Sequence, residues 1–136
     1  MPLRTPWEAS YDTGDALIDA SHRALLEQCE ALADLCERGA EPDTSLAQRF
    51  DEVFAGLIAL VRDHFDAESA WVAGFGDDAL EAHRAEREQF DEFFAEVATT
   101  EHFDRLELQR FIALWCVGHV TALASMACGA PGDAAA

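Results

Sequence analysis

Five side chains able to bind a metal stand where helical periodicity would otherwise place apolar residues. Four are histidines and one is a carboxylate: His22, His64, Glu68, His83 and His119. His64 and Glu68 are four residues apart and so share one helix face. Burying an unpaired imidazole or carboxylate is costly, so we expect these side chains to need a common partner. Imidazole and carboxylate together suit iron, manganese or zinc, and the pattern therefore predicts a metal site.

The elements that must position these side chains are helices. Apolar residues spaced by three and four predict helices over residues 19–37, 45–73, 78–98 and 103–128. Asp19 is the predicted N-cap of the first helix, and Gly74 and Gly76 are predicted to end the second. The connections are short, so successive helices should be antiparallel neighbours.

The predicted fold class is therefore all-α, an up-down-up-down antiparallel four-helix bundle. We expect a single domain over residues 1–130 and a short flexible tail over 131–136. His22 and His83 lie near helix starts, whereas His64 and His119 lie near helix ends. In an up-down bundle, all four positions meet at the same end.

Composition excludes several classes of partner. The 136 residues carry a formal net charge of −18, which disfavours nucleic acid and anionic membrane surfaces. No apolar run reaches the roughly 18 residues that span a bilayer, and no signal peptide is evident. The four cysteines form no C-x-x-C pair, so a reduced, cytoplasmic location is expected. No nucleophile–base pair, phosphate loop or dinucleotide fingerprint is present, so we do not expect an enzyme, although a mononuclear iron redox activity stays open.

The ordered motifs resemble the hemerythrin family in its bacterial branch. They are Trp7, Tyr11-Asp-Thr-Gly14, Ile18-Asp19-x-x-His22, His64-Phe65-x-x-Glu68, His83 and Trp115-x-x-x-His119. The resemblance covers residues 7 to about 127. It implies a four-helix bundle that holds two non-haem irons through five histidines, a bridging Glu and a bridging Asp. The roles it implies are oxygen binding, storage or delivery, oxygen or redox sensing, and iron handling.

Carried over by position, His22 and His64 resemble the terminal ligands of the iron that has an open site. Glu68 resembles the bridging Glu, and His83 and His119 resemble two of the three histidines on the other iron. The family's fifth histidine is replaced here by Arg87, and the bridging Asp by Ala124. A guanidinium cannot bind a metal, and two of the seven ligands that the resemblance implies are thus missing, so we expect fewer than two irons per chain.

Several alternatives stay open around these altered positions. Arg87 could pair with Glu68, or it could point outward while its alkyl stem packs, or Glu86 could turn inward as a replacement carboxylate. Cys116 is either a further ligand, which would favour zinc, or a small core residue. Side chains that could surround the ligands are Asp19, Glu86, Trp7, Tyr11 and Cys116. The resemblance implies that Trp7 and Tyr11 close the bundle end over the site; the alternative is a surface arm packed on the core.

The sequence thus predicts a hemerythrin-like non-haem iron-binding protein with a modified metal site. Its expected role is oxygen binding or sensing, or iron handling, with dioxygen or another small ligand as its partner. The alternative is a metal-free or mononuclear-metal bundle that acts as a regulatory or interaction module. The sequence names no protein partner.

Overall fold

The structure is a computed structural model that describes residues 1–38, 44–99 and 104–135, with side chains for 1–38, 45–94 and 104–128. The described part of the chain contains four α-helices: α1 (Ala16–Arg38), α2 (Thr44–Ala73), α3 (Asp77–Thr99) and α4 (Arg105–Ala135). A short 3-10 helix, Ala9–Tyr11, precedes them. Within these ranges there is no strand, which confirms the all-α prediction.

The helices form a ring of antiparallel neighbours. α1 packs against α2 and α4, and α2 packs against α3. α3 and α4 meet through large side chains, with ring centroids 4.6 Å apart for Phe90 and Trp115 and 5.4 Å apart for Phe93 and Phe111. Because the partners of later residues on α3 are earlier residues on α4, these two helices run in opposite directions. The predicted bundle is confirmed.

The N-cap predicted for the first helix is wrong. Helix α1 begins at Ala16, and the Asp15 carboxylate accepts the backbone N–H groups of Leu17 and Ile18, each at 3.0 Å. Asp19 lies inside the first turn, where its carboxylate accepts from the backbone N–H and the hydroxyl of Thr13. An aspartate one turn earlier thus satisfies the free N–H groups of the helix start. Asp19 instead ties the incoming chain to α1.

The connection between α2 and α3 is as predicted. Gly76 has a backbone φ of +115°, a conformation that side chains with a Cβ rarely adopt. Helix α2 ends at Ala73 and α3 begins at Asp77. This tight turn fixes His83 of α3 beside the carboxyl-terminal part of α2.

Helix α4 differs from the prediction in length and in character. It continues past the predicted end at Cys128 to Ala135. The division into a domain over residues 1–130 and a flexible tail over 131–136 stays a prediction. By length and composition alone, its Arg105–Cys128 part could cross a membrane, contrary to the expectation that no segment would qualify. The core helix of a soluble bundle meets the same criterion, so this is weak evidence, and the buried residues of α4 pack against α1.

The residues before α1 form an arm that is held against the bundle. The side chain of Gln109 on α4 is fully buried, accepts the N–H of Leu3 and donates to the carbonyl of Leu3, both at 2.8 Å. It also donates to the carbonyl of Cys29, at 3.3 Å. The hydroxyl of Thr5 donates to the carbonyl of Leu26 on α1. The arm is thus anchored to both α1 and α4.

Candidate metal centre

All five predicted ligand residues lie in the interior, at one end of the bundle. His22 is on α1, His64 and Glu68 on α2, His83 on α3 and His119 on α4. None of them is more than 5% exposed. The polar positions that interrupt the apolar pattern therefore converge, as the helix depths predict.

Glu68 is the centre of this cluster, because its carboxylate is within hydrogen-bonding distance of all four imidazoles. Oε2 accepts from Nε2 of His22, at 2.8 Å, and from Nε2 of His64. Oε1 accepts from Nε2 of His83 and of His119, both at 2.9 Å. The two oxygens thus serve the two histidine pairs that the resemblance assigns to separate irons.

A tighter group lies within the cluster. One ligand atom from each of His22, His64, Glu68 and His119 lies within 4.8 Å of the others. Nε2 of His64 is 3.1 Å from Nε2 of His119. His83 contacts Glu68 but is not part of this group.

The polar groups of the cluster cannot all be satisfied by hydrogen bonds among themselves. If Nε2 of His64 and Nε2 of His119 each donate to Glu68, the two N–H groups face each other across 3.1 Å. In addition, Nδ1 of His22 is buried without a hydrogen-bond partner among the described residues. A cation in place of these protons removes the conflict between the two N–H groups. Imidazole nitrogens with one carboxylate suit iron, manganese or zinc, so the residues fit a bound metal.

Two polar side chains hold the outer nitrogens of two of the histidines, His119 and His64. Glu86 accepts from Nδ1 of His119 at 2.7 Å, and Ser21 is hydrogen-bonded to Nδ1 of His64. The Trp115 ring stacks on the His119 imidazole, with a centroid distance of 5.1 Å and an interplanar angle of 7°. Engaging Nδ1 in this way turns Nε2 towards the centre, as partners of metal-binding histidines do.

The charges of the cluster shift its pKa values in opposite directions. Burial opposes ionisation of Glu68, but hydrogen bonds from the four imidazoles outweigh burial and hold the pKa of this carboxyl well below its usual range. Burial also disfavours a charged His119, yet its bonds to Glu68 and Glu86 raise its pKa to about 9. Burial lowers the pKa of His64, and the neighbouring His119 and His22 lower it further. Without metal, the ionised Glu68 carboxylate thus lies beside a His119 imidazole that holds its proton more tightly than a free imidazole does.

Arg87 does not reach Glu68. Its guanidinium pairs with the carboxylate of Asp66 on α2, and about a third of the Arg87 side chain is exposed. The pairing of Arg87 with Glu68 is therefore not formed, and the outward orientation is the one observed. Asp66 offers a carboxylate at the surface, where a guanidinium keeps part of its hydration, whereas burying it beside Glu68 would require complete desolvation.

Two further residues of α4 that the sequence singled out, Ala124 and Cys116, lie in the core. Ala124 is buried on α4, and its methyl group supplies no ligand. Cys116 is buried, and contact with the Cys29 thiol, together with burial, raises its pKa well above the usual range. It is therefore placed as a core residue beside Cys29.

The aromatic residues of the arm contact each other and α1. The rings of Trp7 and Tyr11 meet edge to face, 5.4 Å apart, and the guanidinium of Arg23 lies 4.2 Å from the Trp7 ring centre. This matches an arm packed on the core. That these rings close the bundle end over the site stays a prediction.

The sequence did not point to two residues that contact the predicted positions, Ser21 and Asp66. Ser21 directly precedes His22, which was predicted to face the interior. A hydroxyl at that position could have been recognised as a hydrogen-bond partner for one of the buried histidines. Asp66 lies two residues before Glu68, hence on a more outward face of α2, where it could have been identified as the partner of Arg87.

Comparison with known protein families identifies the chain by a family model. The family model of the hemerythrin HHE cation-binding domain matches residues 13–122, a span that contains the whole cluster. No curated protein and no solved structure matches the chain.

Proposed function

Because the chain belongs to the hemerythrin HHE cation-binding domain family, we propose that it binds non-haem iron at the His/Glu cluster and serves oxygen binding or sensing, or iron handling. The observation that carries this proposal is Glu68, a fully buried carboxylate with four imidazole nitrogens around it. Bound iron would supply a change of redox state and coordination positions for dioxygen or another small ligand.

In this function, the residues of the chain supply the charge, orient the ligands and shield the cluster from water. Glu68 supplies the buried negative charge that compensates a cation. Glu86 holds the Nδ1 proton of His119, which leaves Nε2 for the metal. Phe65, whose ring centre lies 4.9 Å from that of His83 and 5.2 Å from that of His119, and Trp115 cover the cluster with apolar surface. These rings limit the access of water to the site.

The proposal also includes the location of the protein and the class of its partner. We place the protein in the cytoplasm, with a small ligand rather than nucleic acid or a membrane as its partner, and with binding rather than turnover as its task. The net charge of −18 supports this choice of partner.

Metal analysis of a matched pair of variants tests the proposal. Purified metal-free protein is titrated with Fe(II) without oxygen, and iron per chain is measured before and after exposure to air, together with the visible spectrum. Glu68→Gln should lower iron affinity at least about 10-fold, because a neutral amide replaces the only fully buried carboxylate among the described residues. Glu88→Gln, at an exposed position of α3, should bind like the natural protein. Equal binding by both variants, or no iron uptake, would contradict the proposal.

An interaction module is the second candidate function, and the outer surface of α3 and α4 favours it. Leu114 is 63% exposed and Phe93 is 38% exposed. If the natural protein takes up no iron, cobalt or zinc, this alternative replaces metal binding.

A further inference from the structure

We propose that the cluster holds one metal ion per chain, bound by His22, His64, His119 and Glu68, with His83 positioning the carboxylate from outside. This inference rests on the proposed function, that the cluster binds a metal. It departs from the resemblance, which assigns His64 and His119 to two different irons.

The first argument is the separation of nitrogen atoms. Two nitrogens bound to one ion at about 2.0–2.1 Å lie roughly 3.0–3.4 Å apart when they are adjacent ligands. Nε2 of His64 and Nε2 of His119 are 3.1 Å apart. The ions of a two-metal site are about 3.5–4 Å apart, and terminal ligands on different ions diverge from there. The two imidazoles therefore stand at the spacing of neighbours on a single ion.

The second argument is the size of the whole ligand group. Opposite ligands on one ion are separated by about 4.2 Å, twice the metal–nitrogen distance. The four ligand atoms of the proposed set all lie within 4.8 Å of one another. A contraction of a few tenths of an ångström per ligand brings them around one ion. His83 is not part of this group, although its Nε2 is 2.9 Å from Oε1 of Glu68.

The third argument is charge. A second divalent ion would add two positive charges to a buried pocket, and burying uncompensated charge is costly. Glu68 is the carboxylate inside the cluster, and no Asp or Glu occurs between His119 and Gly132. Glu86 lies on the outer nitrogen of His119 rather than among the inner ligand atoms. One carboxylate can compensate one ion far better than two.

His83 then acts through Glu68. By donating Nε2 to Oε1, it fixes the carboxylate plane and competes for one of its lone pairs. At 5% exposure it is also the least buried of the four histidines. Its role is that of a positioning residue.

A titration with Co(II) measures the stoichiometry without relying on any activity. Cobalt bound by imidazole and carboxylate absorbs visible light, so the absorbance of metal-free protein should rise linearly and stop at one equivalent per chain. A break at two equivalents would overturn this inference while the proposed metal binding would stand. No saturable binding of Co(II), Fe(II) or Zn(II) would overturn both.

Two matched histidine variants identify the ligand set. Both His119 and His83 donate to Oε1 of Glu68, so a two-ion site predicts that removing either one lowers the stoichiometry in the same way. For one ion, His119→Ala should lower Co(II) affinity by more than about 100-fold, beyond the roughly 10–100-fold typical of groups that only orient a ligand. His83→Ala should still bind one equivalent of Co(II), and its Co(II) affinity should fall by only about 10-fold, the lower end of the range for groups that orient a ligand. Equal effects of the two variants would overturn the assignment.

A gain-of-site variant completes the test. Arg87→His combined with Ala124→Asp introduces a fifth imidazole and a second carboxylate, and the break in the Co(II) titration should move from one equivalent to two. The circular dichroism of each variant checks that the bundle is folded. A break that stays at one equivalent in the folded double variant would show that these two positions do not decide the stoichiometry, and the charge argument would fall.

Discussion

Arg87 shows how one side chain can leave a buried site without disturbing it. It follows His83 by one turn on α3, yet its guanidinium lies at the surface with Asp66. Glu68 meanwhile accepts from four imidazoles and keeps its charge without an arginine. Compared with the ligand set that the resemblance implies, the chain therefore lacks one imidazole at this position, but Arg87 adds no cation to the pocket.

Replacing Arg87 should have a small effect on stability. Exposed ion pairs contribute about 0.2–1 kcal/mol, so Arg87→Ala should lower the free energy of unfolding of the metal-free protein by no more than that, as measured by urea denaturation. Arg62→Ala is the control, since Arg62 forms a similar surface pair with Asp91 between α2 and α3. A loss of about 3–5 kcal/mol, the range for breaking a buried ion pair, would instead show that Arg87 serves Glu68.

The pKa of His119 gives the metal-free protein a defined pH dependence. The pKa is about 9 in the folded chain against 6.5 for a free imidazole, so the folded state binds this proton more tightly. The resulting stability is complete below about pH 6.5 and is lost as the pH rises through about 9. Glu86→Gln should move this loss to lower pH, because it removes one of the two carboxylates that raise the pKa.

Urea denaturation with chelator across this pH range measures the effect, and Glu88→Gln is the control. Superimposable profiles for Glu86→Gln and the natural protein would contradict the role of Glu86.

At the scale of elements, α4 is the helix that joins the site to the amino-terminal arm. It presents His119 to the cluster and Gln109 to Leu3 and Cys29. Both side chains are buried, so the buried side of α4 carries both the histidine of the cluster and the anchor of the arm. The arm in turn meets α1 through Thr5 and the carbonyl of Leu26.

Removing the Gln109 amide should loosen this arm. Gln109→Ala removes both bonds to the Leu3 backbone and the additional donor to the Cys29 carbonyl, and we expect a loss of roughly 1–3 kcal/mol in the free energy of unfolding. Hydrogen exchange of residues 1–8 should accelerate at the same time. The exposed Gln48 of α2 provides the control, since Gln48→Ala should change stability by less than about 0.5 kcal/mol. Unchanged exchange in the arm would show that other contacts hold it.

For the whole molecule, the His/Glu cluster and the apolar core are separate sources of stability. The core contains large buried rings such as Phe50, Phe54 and Phe94, towards the other end of α2 and α3 from the cluster. In the metal-free protein the cluster is held by the bonds to Glu68. Because this apolar core lies apart from the cluster, we expect the bundle to fold without a cation, in contrast to small metal-dependent domains.

Chelation should therefore leave a helical protein that is less stable. Far-ultraviolet circular dichroism should be nearly unchanged, while free metal at about 100 times its dissociation constant should add roughly 2.7 kcal/mol to the free energy of unfolding. Thermal and urea unfolding with metal and with chelator measure both quantities. Loss of helix on chelation would contradict the independence of the core.

The sequence by itself determines the bundle and the convergence of the histidines. Apolar residues at helical spacing fix which face of each helix is buried, and short connections fix the antiparallel order, so His22, His64, His83 and His119 must meet at one end. The position of Gly76 likewise determines where α2 stops, because its backbone conformation is local.

Only the tertiary structure decides which charged groups meet. Arg87 could reach Asp66 or Glu68, and the choice depends on the desolvation of a guanidinium between two helices, which no local pattern encodes. The cap of α1 at Asp15 rather than Asp19, and the bonds of Glu86 and Ser21 to the outer histidine nitrogens, likewise follow from where neighbouring elements lie. Periodicity specifies faces and depths, whereas partners are set by distances of a few ångströms across helix interfaces.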